Sequence, residues 1–187
     1  EEEVNEILRD VENAPFVVST VKRSEKKRTP APPFITSTLQ QEASRKLGMT
    51  PRRTMAIAQM LYEGIDVAGE GTVGLITYMR TDSLRLSEEA LAAAGSFITN
   101  RYGKDYYKEG PRRYKTKNAA QDAHEAIRPS NVNLDPESIK SSLTTEQYKL
   151  YRLVWSRFVA SQMSNAVYDT LSIDTVSAGH IFRANHQ

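Results

Sequence analysis

Tyr168-Asp169-Thr170-Leu171-Ser172-Ile173-Asp174 repeats with a period of two: Leu171 and Ile173 share one face, and Thr170, Ser172 and Asp174 share the other, as in a strand. Ser177-Ala178-Gly179-His180 then supplies a hairpin turn into a further strand, Ile181-Phe182-Arg183. Near the opposite end, Phe16-Val17-Val18-Ser19-Thr20-Val21 is short, β-branched and bounded by Pro15, so it too reads as a strand. The chain between these ends is spaced for helices. The simplest topology pairs the two ends in one β domain, residues 1–36 and 165–187, out of which residues 37–164 project as a helical domain. The fold class expected is α+β, mainly helical. The β domain is expected to be incomplete, because two or three strands seldom stand alone.

Thr29-Pro30-Ala31-Pro32-Pro33 can continue neither a helix nor a central strand and marks a stiff linker at the domain boundary. Beyond it, Ser37 and Gln40 sit three apart, as a capping box requires, and Leu39, Ala43 and Leu47 follow on one helical face until Gly48. Thr50-Pro51 restarts a helix whose buried stripe is read as Met55, Ala58, Leu61 and Tyr62, ending at Gly64. These two helices are expected to lie antiparallel. Asp66 to Gly71 reads as a loop and Val73 to Arg80 as an extended run. Ser87-Glu88-Glu89 caps a third helix with Leu91, Ala94, Ile98 and Tyr102 inward, closed by Gly103. A fourth helix is expected from about Asn118 to Arg128, stopped by Pro129. The longest begins at Thr144, boxed with Gln147, and runs to about Met163.

Lys and Arg number 25 and Asp and Glu 23, so the formal net charge is 25 − 23 = +2, and neither a polybasic tail nor an acidic solvating segment is present. The charge is nonetheless uneven. Residues 1–12 hold six acids against Arg9, as in a solvated acidic helix, and Lys22 to Arg28 hold five bases against Glu25. With no cysteine there is no disulfide framework, thiolate zinc site or cysteine nucleophile. No apolar run approaches the roughly 20 residues of a membrane span, and the glutamates at positions 1–3 do not resemble a signal sequence. The absence of an initial Met and the polar run Arg183 to Gln187 suggest a piece of a longer polypeptide.

Three stretches invite chemistry. His124-Glu125-Ala126-Ile127-Arg128 begins like a zinc-protease helix but has Arg where the second His belongs, so zinc is not expected. On the expected helix, Gln121, His124, Glu125 and Arg128 would share a polar face; a solvated face has the same pattern, and a His with an Arg also suits a phosphate. In Leu75-Ile76-Thr77-Tyr78-Met79-Arg80-Thr81-Asp82-Ser83 an apolar run ends abruptly in polar residues, and an extended chain puts Tyr78 and Arg80 on one side. A phenol beside a guanidinium suits attack on a phosphodiester, although a free phenol, with a pKa of about 10, needs help to ionise. A core tyrosine ending a strand would look similar. Residues 101–117 hold seven bases, two acids and four tyrosines, which fits either single-stranded nucleic acid or a solvated loop. No Gly-rich phosphate loop is present, so nucleotide hydrolysis is not expected.

Gly74-Leu75-Ile76-Thr77-Tyr78-Met79-Arg80-Thr81-Asp82-Ser83 resembles the active-site tyrosine motif of type IA DNA topoisomerases. Pro33-Phe34-Ile35-Thr36-Ser37-Thr38-Leu39-Gln40-Gln41-Glu42-Ala43 with Ala58-Gln59-Met60-Leu61-Tyr62-Glu63 resembles the segment upstream of it in bacterial topoisomerase I. Ala123-His124-Glu125-Ala126-Ile127-Arg128-Pro129 resembles the downstream block. Met79, where topoisomerase III relatives tend to have proline, favours the topoisomerase I branch. The resemblance implies a helical gate domain inserted into a β-rich arch, with hinges near residues 29–36 and 164–168. It implies ATP-independent relaxation of negatively supercoiled DNA, in which one strand is cut through a 5′-phosphotyrosyl bond, the other passes, and the cut is resealed. Tyr78 would be the nucleophile and Arg80 would hold the scissile phosphate. His124 would lie by the DNA backbone, with Arg128 and Asp82 as supporting polar groups. The family's Mg²⁺-binding Toprim domain has no counterpart here, so no metal site is expected and the chain alone should be inactive. The partners implied are single-stranded DNA and the rest of the same polypeptide, in a monomeric, cytoplasmic, nucleoid-associated bacterial enzyme away from any membrane. The alternative is a non-catalytic module binding single-stranded nucleic acid, in which Tyr78 is structural.

Overall fold

In a computed structural model describing residues 1–115 and 124–186, the chain falls into two compact units, Glu1–Thr29 with Asn165–Gln187 and Pro30–Ser164. The first contains helix α1 (Glu2–Val11) and an antiparallel sheet of β1 (Val17–Arg28), β4 (Ala166–Ser177) and β5 (His180–His186), in the order β1-β4-β5. The two ends of the chain therefore pair, with Val17 opposite Val176 and Arg28 opposite Ala166. A bulge between Val18 and Thr20 leaves Ser19 free to donate its hydroxyl to the Asp174 carbonyl. β1 is longer than its apolar stretch predicts, because the basic run Lys22–Arg28 continues as strand. Eleven ladder pairs with β4 override the weak strand propensity of Lys and Arg. The β4–β5 turn has φ of +48° at Ala178 and +84° at Gly179, both left-handed, as the two-residue hairpin expected there requires.

The second unit holds α2 (Thr36–Leu47), α3 (Pro51–Glu63), a small hairpin of β2 (Ile65–Val67) and β3 (Gly71–Val73), α4 (Glu88–Tyr102) and α5 (Thr145–Gln162). Its caps follow the sequence closely. The Thr50 hydroxyl accepts from the Arg53 N–H at 3.2 Å, Ser87 from Ala90 at 3.2 Å, and Thr144 and Gln147 bond reciprocally. The predicted Ser37–Gln40 box does not form. α2 starts earlier, and the Thr38 hydroxyl instead accepts from the Ile35 N–H at 3.1 Å. The core gathers Leu39 and Ala43 of α2, Ile57 and Leu61 of α3, Leu91 and Ile98 of α4, and Tyr151 and Phe158 of α5. On α3 the buried stripe is Thr54, Ile57, Ala58 and Leu61, so Tyr62 lies outside it, 40% exposed. Among the described residues no helix is long and apolar enough to cross a membrane.

The fourth helix is not found where it can be seen. Asn118 to Ala123, with Gln121, lie outside the described residues, and His124 to Arg128 are not helical: His124 is in a bend and Ile127 forms an isolated bridge with Phe34. The reason is backbone pairing: Ala126 donates to the Arg85 carbonyl at 2.9 Å, Ile127 to Phe34 at 2.8 Å, and the Arg128 N–H to the Thr77 hydroxyl at 3.0 Å. Pro129 also disfavours a helical residue before it.

Candidate active site

The three motif blocks, far apart in sequence, meet around residues 74–83. Along one flank, the Thr77 N–H donates to the Arg128 carbonyl at 2.9 Å and its hydroxyl to the Ala126 carbonyl at 2.7 Å, while Ser130 donates to Leu75 at 3.0 Å. On the helical flank, Leu75 donates to the Leu61 carbonyl at 2.7 Å. This close approach explains Gly74, since a Cβ there would stand 2.7 Å from the carbonyl oxygen of Tyr62. From the first block, Thr36 fastens the segment: its N–H donates to the Thr81 carbonyl at 2.9 Å, and its hydroxyl donates to the Met79 carbonyl at 2.8 Å and accepts from the Thr81 N–H at 2.9 Å. Arg80 is thus bracketed on both sides. The chain bends at Met79–Arg80, so the alternation of a straight strand stops at Tyr78.

Within this frame the Tyr78 ring is half-buried between two others, 5.4 Å from Tyr62 edge-on and 5.2 Å from His124. Its hydroxyl has no hydrogen-bond partner among the described residues, which distinguishes it from several other tyrosines of the chain. Tyr151 donates to the Leu134 carbonyl at 2.7 Å, and burial pushes its phenol well above the ordinary value; Tyr114 donates to Ser161 at 2.9 Å, and burial raises it too. Tyr148 is bonded to Glu137, and Tyr107 packs against Gly95. Met79 is fully buried and anchors the bend, and Arg80 points to solvent with no ion pair among the described residues.

The remaining predicted residues divide. His124 is exposed and touches the Tyr78 ring. Arg128 is not free: its guanidinium donates to Glu125 at 2.6 Å and to the Pro129 carbonyl at 2.9 Å, with the two side chains of the pair only 14% and 19% exposed. It therefore locks the downstream block rather than presenting an open cation. The shared helical face of His124, Glu125 and Arg128 is absent because their segment is not helical. Asp82 is half-buried, and its Oδ1 is enclosed without a partner among the described residues, an arrangement that costs free energy unless a donor arrives. No cluster of three or more His, Asp or Glu side chains able to hold a metal ion occurs among the described residues, so they do not fit a magnesium site.

Sequence reading missed Tyr62 and Thr36. Helical spacing puts Tyr62 in the buried stripe, whereas its place just before Gly64 at the end of α3 is the signal that it lies outside it. Thr36 stands inside the upstream block, but nothing in that block names its partners, because its bonds reach residues more than 40 positions away.

Comparison with known proteins places the chain in a family. The family described as DNA topoisomerase matches residues 1–187. The solved structure of full-length topoisomerase I from Thermotoga maritima is 40% identical to the chain, with a TM-score of 0.81 over 98% of it. The chain spans 29% of that protein's length. It belongs to the DNA topoisomerases, on the bacterial type IA branch.

Proposed function

We propose that this chain is the strand-cleaving gate and part of the arch of an enzyme that relaxes negatively supercoiled DNA without ATP. The Tyr78 oxygen attacks a phosphodiester of single-stranded DNA and forms a 5′-phosphotyrosyl bond. The bond from phosphorus to the neighbouring 3′ oxygen breaks, and that oxygen leaves as a hydroxyl, taking up the proton the phenol gives up. One phosphodiester replaces another, so the reverse reaction reseals the strand once the intact strand has passed. Arg80 holds the scissile phosphate and stabilises its developing charge. His124 contacts the adjacent DNA backbone, the unpaired oxygen of Asp82 accepts a donor from the substrate or from elsewhere in the polypeptide, and Arg128 holds the downstream block in register. The observation that carries this reading is a Tyr78 hydroxyl with no partner among the described residues, two positions before an exposed Arg80 that has no ion pair among them and sits on a bend that Thr36 brackets.

A Mg²⁺ ion held by a Toprim domain elsewhere in the polypeptide would complete the site, and the present chain alone would neither cleave nor relax DNA. The helical unit would swing as a gate about the chain crossings near Thr29–Pro30 and Ser164–Asn165. The enzyme would work as a monomer in the bacterial cytoplasm, on nucleoid DNA.

The test uses the full-length polypeptide with labelled single-stranded DNA and magnesium, quenched in denaturant. A protein-linked DNA band is expected, and Tyr78→Phe should abolish it. A band that persists in the variant would assign the attack to another residue.

A further inference from the structure

We propose that Tyr102 and Tyr106 form a second contact for single-stranded DNA, a two-ring platform on which bases stack while Arg101 and Lys104 hold the adjoining phosphates. The choice of DNA rests on the function proposed above; the platform itself rests on the geometry. Of the four tyrosines in the basic stretch 101–117, two are committed to the fold: Tyr107 buries against Gly95, and the Tyr114 hydroxyl bonds to Ser161. Tyr102 and Tyr106 are 40% and 53% exposed, with ring centroids 6.0 Å apart.

These rings are held rather than loose. Tyr102 rests on Phe97 at 6.3 Å, and Phe97 meets Trp155 edge-on at 5.4 Å. Trp155 is buried and donates its indole N–H to the Val132 carbonyl at 2.9 Å. Gly103, with φ of +102°, ends α4 and turns the chain into the short 3₁₀ turn that carries Tyr106. Ser164 pins this turn three times, donating its N–H to Tyr106 at 2.8 Å and its hydroxyl to Asp105 at 3.0 Å, and accepting from the Lys108 N–H at 3.0 Å. A surface held in its binding conformation loses little entropy when a strand docks.

Charge selects the occupant. Asp105 pairs with Lys108 at 3.0 Å and Glu109 with Arg112 at 2.6 Å, so the acids of the stretch are neutralised locally. Arg101 and Lys104 are exposed and have no ion pair among the described residues. Exposed rings flanked by uncompensated cations match a polyanion with flat bases. The platform sits at the C-terminal end of the 15-residue α4, roughly 22 Å along the helix from its start near Arg85, whose carbonyl receives the Ala126 N–H.

The test measures fluorescence anisotropy of a labelled oligothymidine, and of an abasic strand of equal charge, with the 187-residue chain. The chain should prefer thymidine. Removing one ring (Tyr102→Ala or Tyr106→Ala) should weaken thymidine binding roughly 5- to 150-fold, and removing both should erase the preference over the abasic strand. Tyr102→Phe with Tyr106→Phe should keep it, since the rings remain. Arg101→Gln with Lys104→Gln should flatten the salt dependence by about 0.7 per charge. Equal affinity for both strands, a double alanine variant within about twofold of the parent chain, or a phenylalanine pair that loses the preference would each overturn the proposal. Covalent adducts play no part in this readout, so it stands or falls apart from Tyr78.

Discussion

The helical unit and the β unit are stabilised in different ways. Among the described residues, all 26 buried apolar ones belong to the helical unit, from Phe34 to Val159, whereas every residue of β1 is exposed and Val17, Val21, Val167 and Ile181 are between 54% and 70% exposed. The first is held by packing and the second mainly by its backbone ladder and a few cross-strand side-chain contacts, such as Ser24 with Thr170 at 2.8 Å and Arg183 with Asp174 at 2.7 Å. The segment proposed to hold a phenol and a cation in fixed geometry lies in the packed unit, where displacing any segment disturbs several others. A ladder without a core tolerates side-chain change but opens readily.

Truncating a side chain in each unit should give the widest separation. Phe158→Ala, at a fully buried position of α5, should cost about 3–5 kcal/mol in urea unfolding, while Val21→Ala should stay within about 0.5 kcal/mol; equal costs would erase the contrast. Next comes Gly74→Ala, whose new Cβ meets the Tyr62 carbonyl oxygen and which should cost about 1–3 kcal/mol. In the full-length polypeptide it should also reduce the covalent DNA band, and an undiminished band would show that the Tyr78 segment tolerates displacement.

Acid should act on the packed unit through Glu42. Its carboxyl is held below the ordinary value chiefly by the hydrogen bond from Lys46, with Arg157 and Arg45 adding their charge against the opposing effect of burial. A lowered folded pKa means stability that is complete above the ordinary carboxylate range near pH 4.3 and lost as pH falls through the folded value. Glu42→Gln should therefore lose less stability than the parent chain between pH 6 and pH 3, measured by urea unfolding. The smallest effect belongs to the β unit, where Ala178 holds a left-handed conformation that alanine resists; Ala178→Asn should gain about 0.5–1 kcal/mol, read as a higher melting temperature.

The parts of the fold that were legible in the sequence are those set by neighbours in the chain. Thr50-Pro51, Ser87 and the Thr144–Gln147 pair mark helix starts because a cap is a bond across three residues, and the Ala178-Gly179 turn shows itself in the same way. His124 to Arg128 misled because Ala and Ile at helical spacing say nothing of Phe34 and Arg85, which recruit that segment into extended pairing. At the candidate site, composition could not choose among nine tyrosines. The motif around Tyr78 puts one of them forward, but the neighbours that orient its ring and bracket Arg80 are set by contacts between distant residues. Arg128 illustrates the same limit, since its partner Glu125 is visible three residues away and their mutual enclosure is not.

The pairing of Arg28 with Ala166 places the two ends of the intervening chain about 5 Å apart at one extremity of the β1–β4 ladder. A tension drawing those ends apart would load the ladder at that extremity alone and peel the strands one hydrogen-bonded pair at a time, as a zip opens. Twelve-residue strands pulled lengthwise would have to shear all their bonds together, so these joints yield to force in one direction and resist it in the other.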